Sequence, residues 1–459
     1  MEPGACDAAS ASDLQTIVIA ATLLSALLVA RWLLTDGGRH SGVGLQLAYL
    51  GSFWMNHWVG AAANALPWYC GPSQQFTALG ARESLWGLAA FAGVSILCSI
   101  LRRAPAAGKS TATGSQGNIP RTVFYWGITC YILSIPLGRI PSLGALLSVG
   151  QSLILAGICL LLFQAWEADK PGAALKWWLA ALALPVFTVV SRGFIGYGIA
   201  ALLAVLCFAV YNMSTLRLRR MLVASPLILY IGLSVFVTYM RDRNEVRAKV
   251  WGGAATSSRI EQMFNTFTNF ELISPTNDEH LNTIDGRLNQ NALVGAAVSY
   301  TGHSTQRANG ETIINAFFAL IPRAIWPNKP AVGGSGDLVS RFTGMTFAEG
   351  TSVGIGQVLE FYVNFGTPMV VIGFGLFALI LSLLDFNARL FLNRGDYLAF
   401  AGQYVLGMSF QQLGGSLTEV FASAAASWVL IVVLRTFLRR RLALHGQVPV
   451  LPPDPLAVK

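Results

Sequence analysis

The 459-residue sequence contains few charged residues: Asp, Glu, Lys and Arg make up 12% of it, roughly half the share that is usual in soluble domains. Hydrophobic residues make up 54%, and the mean hydropathy is +0.55. Apolar runs of about 17 residues or more, long enough to cross a bilayer as helices, recur along most of the chain. This composition excludes a soluble globular protein and predicts an all-α polytopic membrane protein.

Sequence motifs of several enzyme classes are also missing. The chain has no CxxC pair and no cluster of cysteine with histidine, so nothing predicts a metal site. It has neither the phosphate-binding GxxxxGK[ST] loop nor a DxD motif for a metal-bound sugar nucleotide. Gly333–Gly336 is not a GxSxG nucleophile turn. We therefore expect no metal, no cofactor and no nucleotide-dependent chemistry, and we read the net charge of +9 as loop charge, not as a nucleic-acid surface.

The six cysteines divide into two groups. Cys6 and Cys70 fall outside the membrane on the same predicted side, where a disulfide between them and two free thiols are both open alternatives. The other four fall inside apolar runs and are expected to fill space: Cys98, Cys130, Cys159 and Cys207.

The apolar runs predict eleven transmembrane helices. The short pair 176–190 and 194–211 has one interrupted unit as its alternative. The predicted spans are 14–34, 42–65, 79–101, 122–138, 142–164, 176–190, 194–211, 221–240, 367–385, 397–413 and 418–437.

Basic residues separate the connections between these spans into two sets. One set of alternate short connections holds only Arg82, Arg139 and Arg192, so by the positive-inside rule it faces away from the cytoplasm. This predicts an N-terminus outside the cytoplasm and a C-terminus inside it. The first run lacks a cationic leader and is expected to remain as a helix and not to be removed as a signal peptide. The cytoplasmic set contains Arg31, Arg39, Arg102, Arg103, Lys109, Arg121, Lys170, Lys176, Arg217, Arg219, Arg220, Arg389, Arg394, Arg439, Arg440 and Arg441.

Four regions follow from this topology. Residues 1–240 form a bundle of about eight spans, 241–366 a large external loop, 367–437 about three further spans, and 438–459 a basic cytoplasmic tail. Within the loop, an apolar stretch at 313–326 is too short to span. It predicts an interfacial or re-entrant helix that ends at the prolines that follow.

Ionisable residues gather at the external membrane boundary of this topology. Arginine binds phosphate oxygens through two parallel hydrogen bonds, so such a cluster suits a lipid diphosphate whose chain lies in the bilayer. A carboxylate beside it can take a proton from a sugar hydroxyl. The gathered residues are Arg192, Arg241, Arg243, Arg323, Lys329, Glu360 and Glu419.

Each of these residues also has a structural interpretation. Arg241 and Arg243 can be ordinary charges at a helix end, and Arg323 and Lys329 can be interfacial anchors. The alternative for Glu360 is a salt bridge to one of the arginines. Two histidines are weighed in the same way: His57 is expected in the core as a hydrogen-bonded residue, and His303 in an exposed loop.

The stretch Pro322-Arg323…Trp326-Pro327…Lys329-Pro330, followed by Glu360-Phe361-Tyr362-Val363-Asn364-Phe365-Gly366, resembles the C-terminal half of Wzy-type oligosaccharide repeat-unit polymerases, which make O-antigens and exopolysaccharides. Ser191-Arg192-Gly193 resembles that family's arginine after a middle span, and Arg241 and Arg243 fit its large periplasmic loop. The likeness covers about 190–370. The N-terminal third is similar only in its apolar helices, and no pattern between Arg243 and Arg323 aligns.

The resemblance implies a GT-C-like helical enzyme in the bacterial inner membrane. Such an enzyme transfers a growing chain from undecaprenyl diphosphate to the terminal sugar of another lipid-linked repeat unit, without metal. Arg192, Arg323 and Arg241 would neutralise the leaving diphosphate, and Glu360 would be the base or would orient an arginine. Further diphosphate or glycan contacts are assigned to Arg243, Lys329, Tyr362, Glu419 and His303.

The implied partners are membrane lipids, the lipid-linked oligosaccharide, and a flippase and chain-length regulator of the same pathway; no nucleic acid is expected. A polysaccharide ligase would use the same external arginines and remains an alternative. A transporter of lipid-linked glycans is less favoured, because the cytoplasmic halves of the spans carry almost no charge.

Overall fold

The computed structural model of the chain describes residues 8–34, 42–102, 118–138, 140, 142–213, 215–303, 307–323, 325–326, 328–329, 334–347 and 353–444. Within these ranges the secondary structure consists of helices and turns, without a strand. Eight helical segments of the described residues are apolar and long enough to cross a membrane. The predicted class, an all-α membrane protein with several spans, is therefore confirmed.

In the part of the chain that the structure describes, the first half contains eleven α-helices, and a π-helical turn at Trp54–Trp58 separates α2 from α3. They are α1 (Ala8–Leu34), α2 (Leu45–Phe53), α3 (Val59–Asn64), α4 (Gln74–Leu101), α5 (Ile119–Leu137), α6 (Leu143–Ser148), α7 (Gly150–Glu167), α8 (Pro171–Leu182), α9 (Leu184–Arg192), α10 (Ile195–Asn212) and α11 (Thr215–Arg241).

The second half contains ten more, and a 3₁₀ turn at Ser409–Gln411 follows α20. They are α12 (Arg243–Trp251), α13 (Thr256–Thr268), α14 (Asp278–Arg287), α15 (Gln290–His303), α16 (Glu311–Ala319), α17 (Ser335–Thr343), α18 (Gln357–Phe365), α19 (Thr367–Asn393), α20 (Tyr397–Met408) and α21 (Leu417–Leu444).

The eight long apolar segments cover most of the predicted spans. Pro171–Arg192 and Ile195–Asn212 are each long and apolar enough to cross a membrane, and Gly193, at a φ of 75°, turns the chain between them; the alternative of one interrupted unit stays a prediction. The others are Ala11–Leu33, Gln74–Leu101, Leu143–Glu167, Arg217–Arg241, Thr367–Asn393 and Leu417–Leu438.

Three of the eleven predicted spans correspond to helices that are interrupted or less apolar. The π turn interrupts 42–65, and 397–413 leaves α-helical geometry after Met408. The third, 122–138, is the 19-residue α5, whose Thr, Tyr and Trp side chains lower its hydropathy. The count of eleven therefore stays a prediction.

The segment 241–366 was expected as an external loop, but most of its described residues are helical and it is not separate from the bundle. It contains α12 to α18. Val294 and Ala297 of α15 and Val358 and Leu359 of α18 are fully buried in the same core as Phe374 of α19. The segment therefore returns into the bundle after it leaves α11.

Two glycines allow α15 to lie directly against α4. A Cβ atom at Gly295 would come 1.8 Å from the carbonyl oxygen of Phe76, and one at Gly80 would come 2.0 Å from that of Asn291. The two backbones are therefore in contact where these glycines face each other. Such close approach requires small residues at both helix surfaces.

The structure has a short helix where one was predicted at 313–326, but the predicted end is too late. In the structure α16 ends at Ala319, and the chain continues in turns in which the N–H groups of Leu320 and Ile321 donate to Phe317 and Phe318. Pro322 is the reason, since proline disfavours helical geometry at the residue before it and has no N–H for the next turn. The prediction relied on Pro327 and overlooked Pro322.

The chain ends differ in part from the expectation. Helix α21 continues past the predicted span end at 437 as far as Leu444, and the tail from 445 lies outside the described residues. Cys70 is in a disulfide, whereas Cys6 lies outside the described residues. The four cysteines of the apolar runs are free and buried, as predicted.

We predict that Gly295→Ala destabilises the protein, because the new methyl group would meet the Phe76 carbonyl and force α4 and α15 apart. Overpacking of this kind typically costs about 1–3 kcal/mol. The measurement is the thermal midpoint of the purified protein in detergent. Gly302→Ala is the matched control on the same helix, since nothing lies within 4 Å of its added Cβ. An unchanged midpoint for Gly295→Ala would contradict the described packing of α15 on α4.

Candidate functional site

A cavity of about 1330 Å³ lies at one end of the bundle. Wall residues come from the beginnings of α4, α7 and α10, from the first half of α9 and from the end of α11. Because the chain direction alternates between consecutive spans, these beginnings and ends belong to the same face of the bundle. Helices α12, α14, α15 and α17 contribute further wall residues on that face, as do residues between Met408 and Glu419.

One part of the wall is apolar and open. It is formed by α7, α9 and α10, and Phe187 and Tyr197 in it keep 46% and 56% of their surface exposed. This part suits a hydrocarbon chain better than a sugar. Its apolar residues include Ile154, Leu155, Leu184, Phe187, Ile199 and Leu203.

Three arginines form the basic part of the wall. Arg243 and Arg247 lie one turn apart on α12, and Arg287 is the last residue of α14. In the described part of the chain, no carboxylate oxygen lies within 4.0 Å of their guanidinium nitrogens. We call these three residues the arginine cluster.

The members of the arginine cluster are close enough to affect one another. Burial, with the positive charges of Arg287 and Arg247, lowers the pKa of Arg243 to about 10. Burial also lowers the pKa of Arg247. The Arg247 guanidinium lies over the rings of Phe194, at 4.3 Å, and Trp251, at 5.1 Å, and its Nε donates to the Gly193 carbonyl at 3.2 Å. These contacts position the group without neutralising it, so the cluster is suited to bind an anion.

Arg192 and Arg241, predicted at the site, contact groups beside the cavity and are not among its described wall residues. The guanidinium of Arg192 lies 5.9 Å from the ring centre of Tyr131, which does line the cavity. Arg241 forms ion pairs with Asp242, at 2.8 Å, and with Glu271. The charge of Arg241 is thus compensated, and it ties the chain near Glu271 to the end of α11.

Arg323 and Lys329 lie in the turn after α16. Their side chains donate to carbonyl groups of this turn and are not among the described wall residues of the cavity. Arg323 Nη1 donates to the Lys329 carbonyl at 3.1 Å, and Lys329 Nζ donates to the Ile321 carbonyl at 3.2 Å. Burial and the charge of Arg323 lower the pKa of Lys329. The two cations that dominate the sequence motif therefore close a local turn.

Glu360 is fully buried behind the start of α21 and is not among the described wall residues. The Leu417 N–H donates to its Oε2 at 2.6 Å. Burial raises the pKa of this carboxyl to about 7, and the nearby Glu419 acts in the same direction. In the described residues it has no ion pair with an arginine, so the salt-bridge alternative is not found.

Glu419 lines the cavity and caps α21. Its Oε2 accepts from the Ser416 N–H at 3.0 Å, and its own N–H donates to Ser416 Oγ at 3.2 Å. This reciprocal pair is a capping box. Oε1 accepts from the Ser335 hydroxyl at 3.2 Å.

Two further predicted residues lie elsewhere. Tyr362 is half-buried on α18; burial and the charge of Glu83 raise its pKa. His303 is the last residue of α15, and its side chain lies outside the described structure. His57 lies in the core as expected, with Nδ1 2.9 Å from Asn291 Oδ1. No group of three or more metal-binding side chains occurs in the described ranges.

Three charged wall residues were missed from the sequence: Arg247, Arg287 and Asp285. The sequence could have indicated that Arg247 lies beside Arg243, since residues four apart share one face of a helix. Asp285 and Arg287 had none, because their place depends on how α14 packs. The Asp285 carboxylate accepts from Asn64, at 2.7 Å, and from Asn289, at 2.6 Å, so neutral partners hold it.

A family model described as a domain of unknown function, DUF8712, matches residues 73–445 of the chain. The chain belongs to this family. The match begins at the start of α4 and extends through α21, so it includes the arginine cluster and Glu419 of the DUF8712 protein. Comparison with curated proteins and with solved structures finds no match.

Glu360 gives the DUF8712 protein a predicted pH dependence of stability. Its pKa is about 7 when folded against an ordinary value of 4.5, so the folded state binds the proton more tightly. The associated stability is present below about pH 4.5 and is lost as pH rises through 7, by up to about 3 kcal/mol. We expect Glu360→Gln, which stays neutral, to flatten the fall in thermal midpoint between pH 5 and pH 8.

Glu261→Gln, at an exposed position of α13, is the control and should keep the wild-type slope. A Glu360→Gln protein whose thermal midpoint falls with pH as steeply as wild type would show that this carboxyl does not titrate in that range.

Proposed function

We propose that this protein extends polyprenyl-diphosphate-linked oligosaccharides by glycosyl transfer, as the resemblance to Wzy-type polymerases implies. The observation that carries the proposal is the arginine cluster, which has no carboxylate partner among the described residues and shares one cavity with an open apolar wall. A ligand that satisfies both parts is an anion attached to a long hydrocarbon chain. Undecaprenyl diphosphate has this chemistry.

The site reassigns the diphosphate-binding role within the chain. We assign Arg243, Arg247 and Arg287 as the diphosphate ligands in place of Arg192, Arg241 and Arg323, because in the described structure the first three line the cavity without an ion pair. Guanidinium groups in a partly buried site stabilise negative charge more strongly than they do in water. We therefore assign to the arginine cluster the stabilisation of the negative charge that develops on the leaving diphosphate.

In the reaction, a hydroxyl oxygen of the acceptor sugar attacks the anomeric carbon of the donor glycan. A new C–O bond forms there while the bond from that carbon to the phosphate oxygen breaks, and the electron pair leaves with the polyprenyl diphosphate. The hydroxyl proton passes to a carboxylate. We assign that role to Glu419, which lines the cavity, and not to Glu360, which does not.

The finer topology also belongs to this proposal: eleven passes, a GT-C-like arrangement, the bacterial inner membrane and an external N-terminus. The asymmetry of basic residues supports the orientation. The disulfide at Cys70 agrees with it, because disulfides persist in oxidising compartments such as the periplasm. The cavity would then open on the periplasmic face.

The orientation predicts opposite labelling of two introduced cysteines. A cysteine at Glu279 should react with a membrane-impermeant maleimide in intact cells whose outer membrane has been opened, whereas one at Arg220 should react only after the inner membrane is permeabilised. Both positions are exposed, and the four native free cysteines are buried. Labelling of Arg220→Cys in intact cells would reverse the orientation.

The function is tested in a strain that lacks the gene and carries variants of it. Loss of one charge-assisted hydrogen bond costs about 1.5–3 kcal/mol, so Arg287→Gln should lower polymer yield roughly 10- to 100-fold. Glu419→Gln should also lose long chains while single lipid-linked units accumulate on the periplasmic side. The measurements are the length and the sidedness of carrier-linked glycan.

Matched controls are Arg323→Gln and Glu360→Gln, which lie outside the cavity wall and should keep the wild-type chain lengths. Carrier-linked long chains in Arg287→Gln, with failure only of their final attachment, would indicate a ligase. Units trapped on the cytoplasmic side would indicate a transporter.

A further inference from the structure

Helix α13 presents an apolar face that no described part of the chain covers. Ile260 and Phe264, one helical turn apart, are 55% and 70% exposed. Phe270 and Leu272, which follow the helix, are 40% and 56% exposed. Large apolar side chains grouped in this way mark an interaction surface. We call these four residues the α13 face.

Hydrogen bonds place the chain after α13 alongside a membrane span. The Glu271 N–H donates to Thr238 Oγ1 at 3.1 Å, and the Ile273 N–H donates to Ser234 Oγ at 3.0 Å. The Tyr230 hydroxyl then donates to the Ile273 carbonyl at 3.1 Å. These three partners lie on successive turns of α11 and cover roughly 12 Å of its axis at 1.5 Å per residue.

That span is Arg217–Arg241. The residues on either side of Leu272 therefore run along α11 from its cavity-side end towards its middle. Helix α11 also exposes apolar side chains nearer its middle, including Leu227 and Ile231, at 61% and 46%. The α13 face is therefore continuous with the surface that α11 turns towards lipid. This continuity identifies the occupant as the bilayer.

We propose that α13 and residues 270–273 form an interfacial anchor that lies in the membrane leaflet on the cavity side, with the α13 face among the lipid chains. Sequence analysis predicted an interfacial helix only at 313–326. Amphipathic helices bind in the plane of the interface with their apolar side buried about 5–10 Å. Trp251, at the end of α12, is 57% exposed, and tryptophan is enriched at the membrane–water interface.

The anchor also positions α12. Lys249 Nζ donates to Gln262 Oε1 at 2.7 Å, and Gln262 Nε2 donates to Glu245 Oε2 at 3.1 Å, so two residues of α12 are tied to α13. The depth of α13 thus sets the depth of Arg243 and Arg247. This second step rests on the proposed function, in which those arginines meet a lipid diphosphate at headgroup level; the anchor itself does not.

The test measures the depth of a nitroxide probe on Phe264→Cys in vesicles of phosphatidylethanolamine and phosphatidylglycerol, without substrate. We expect several-fold more collisions with oxygen, which concentrates in lipid, than with a water-soluble nickel chelate. A probe on Glu279→Cys, exposed on α14, is the control and should show the opposite preference. Equal nickel access at both positions would overturn the proposal. So would a Phe264 probe shielded from both reagents, which would indicate a protein partner or a second copy.

A second measurement tests whether the anchor holds α12. In Ile260→Ser/Phe264→Ser, a probe on Ala248→Cys, exposed on α12, should become several-fold more accessible to the nickel chelate. The replaced side chains are exposed, so the thermal midpoint in detergent should stay near that of wild type. An Ala248 probe whose accessibility does not change would show that α13 does not set the depth of the arginines. Because neither measurement uses glycan, both stand even if the polymerase assay fails.

Discussion

The contact between α4 and α15 determines how the rest of the structure is assembled. Where Gly80 and Gly295 meet, the two backbones are too close for any side chain. The contact brings a segment that begins outside the bundle back into its core. Polar groups reinforce it, since Ser84 Oγ donates to Asn291 Oδ1 at 2.6 Å and Asn291 Nδ2 donates to the His57 carbonyl at 2.6 Å. Helix α14 and Arg287 take their place because α15 is held in this way.

The sequence was sufficient for the class of protein. Hydropathy identified the eight long apolar helical segments of the described residues. Within the candidate site it identified Arg243 and Glu419 but not Arg287 or Asp285. The reason is physical: hydropathy and charge are local properties, whereas the position of Arg287 depends on a contact between α4 and α15 more than 200 residues apart in sequence.

Arg323 and Lys329 show the opposite error. Prolines and cations in one short stretch resemble a binding motif, yet the same residues also make a stable turn. Lys329 donates to the Ile321 carbonyl and Arg323 to the Lys329 carbonyl, so each cation satisfies a backbone group that the prolines leave without a helical partner. These hydrogen bonds hold the two cations in the turn, away from the described cavity wall, and that placement is visible only in three dimensions.

The two carboxylates at the start of α21 illustrate how burial divides similar groups. Glu360 and Glu419 both accept backbone N–H groups there, from Leu417 and Ser416. Glu360 is excluded from water, and its raised pKa leaves it largely neutral below pH 7. Glu419 instead lines the cavity, where its carboxylate accepts from the Ser416 N–H and the Ser335 hydroxyl. It shares this cavity with the arginine cluster, so a proton acceptor and an anion-binding group are both available to one ligand.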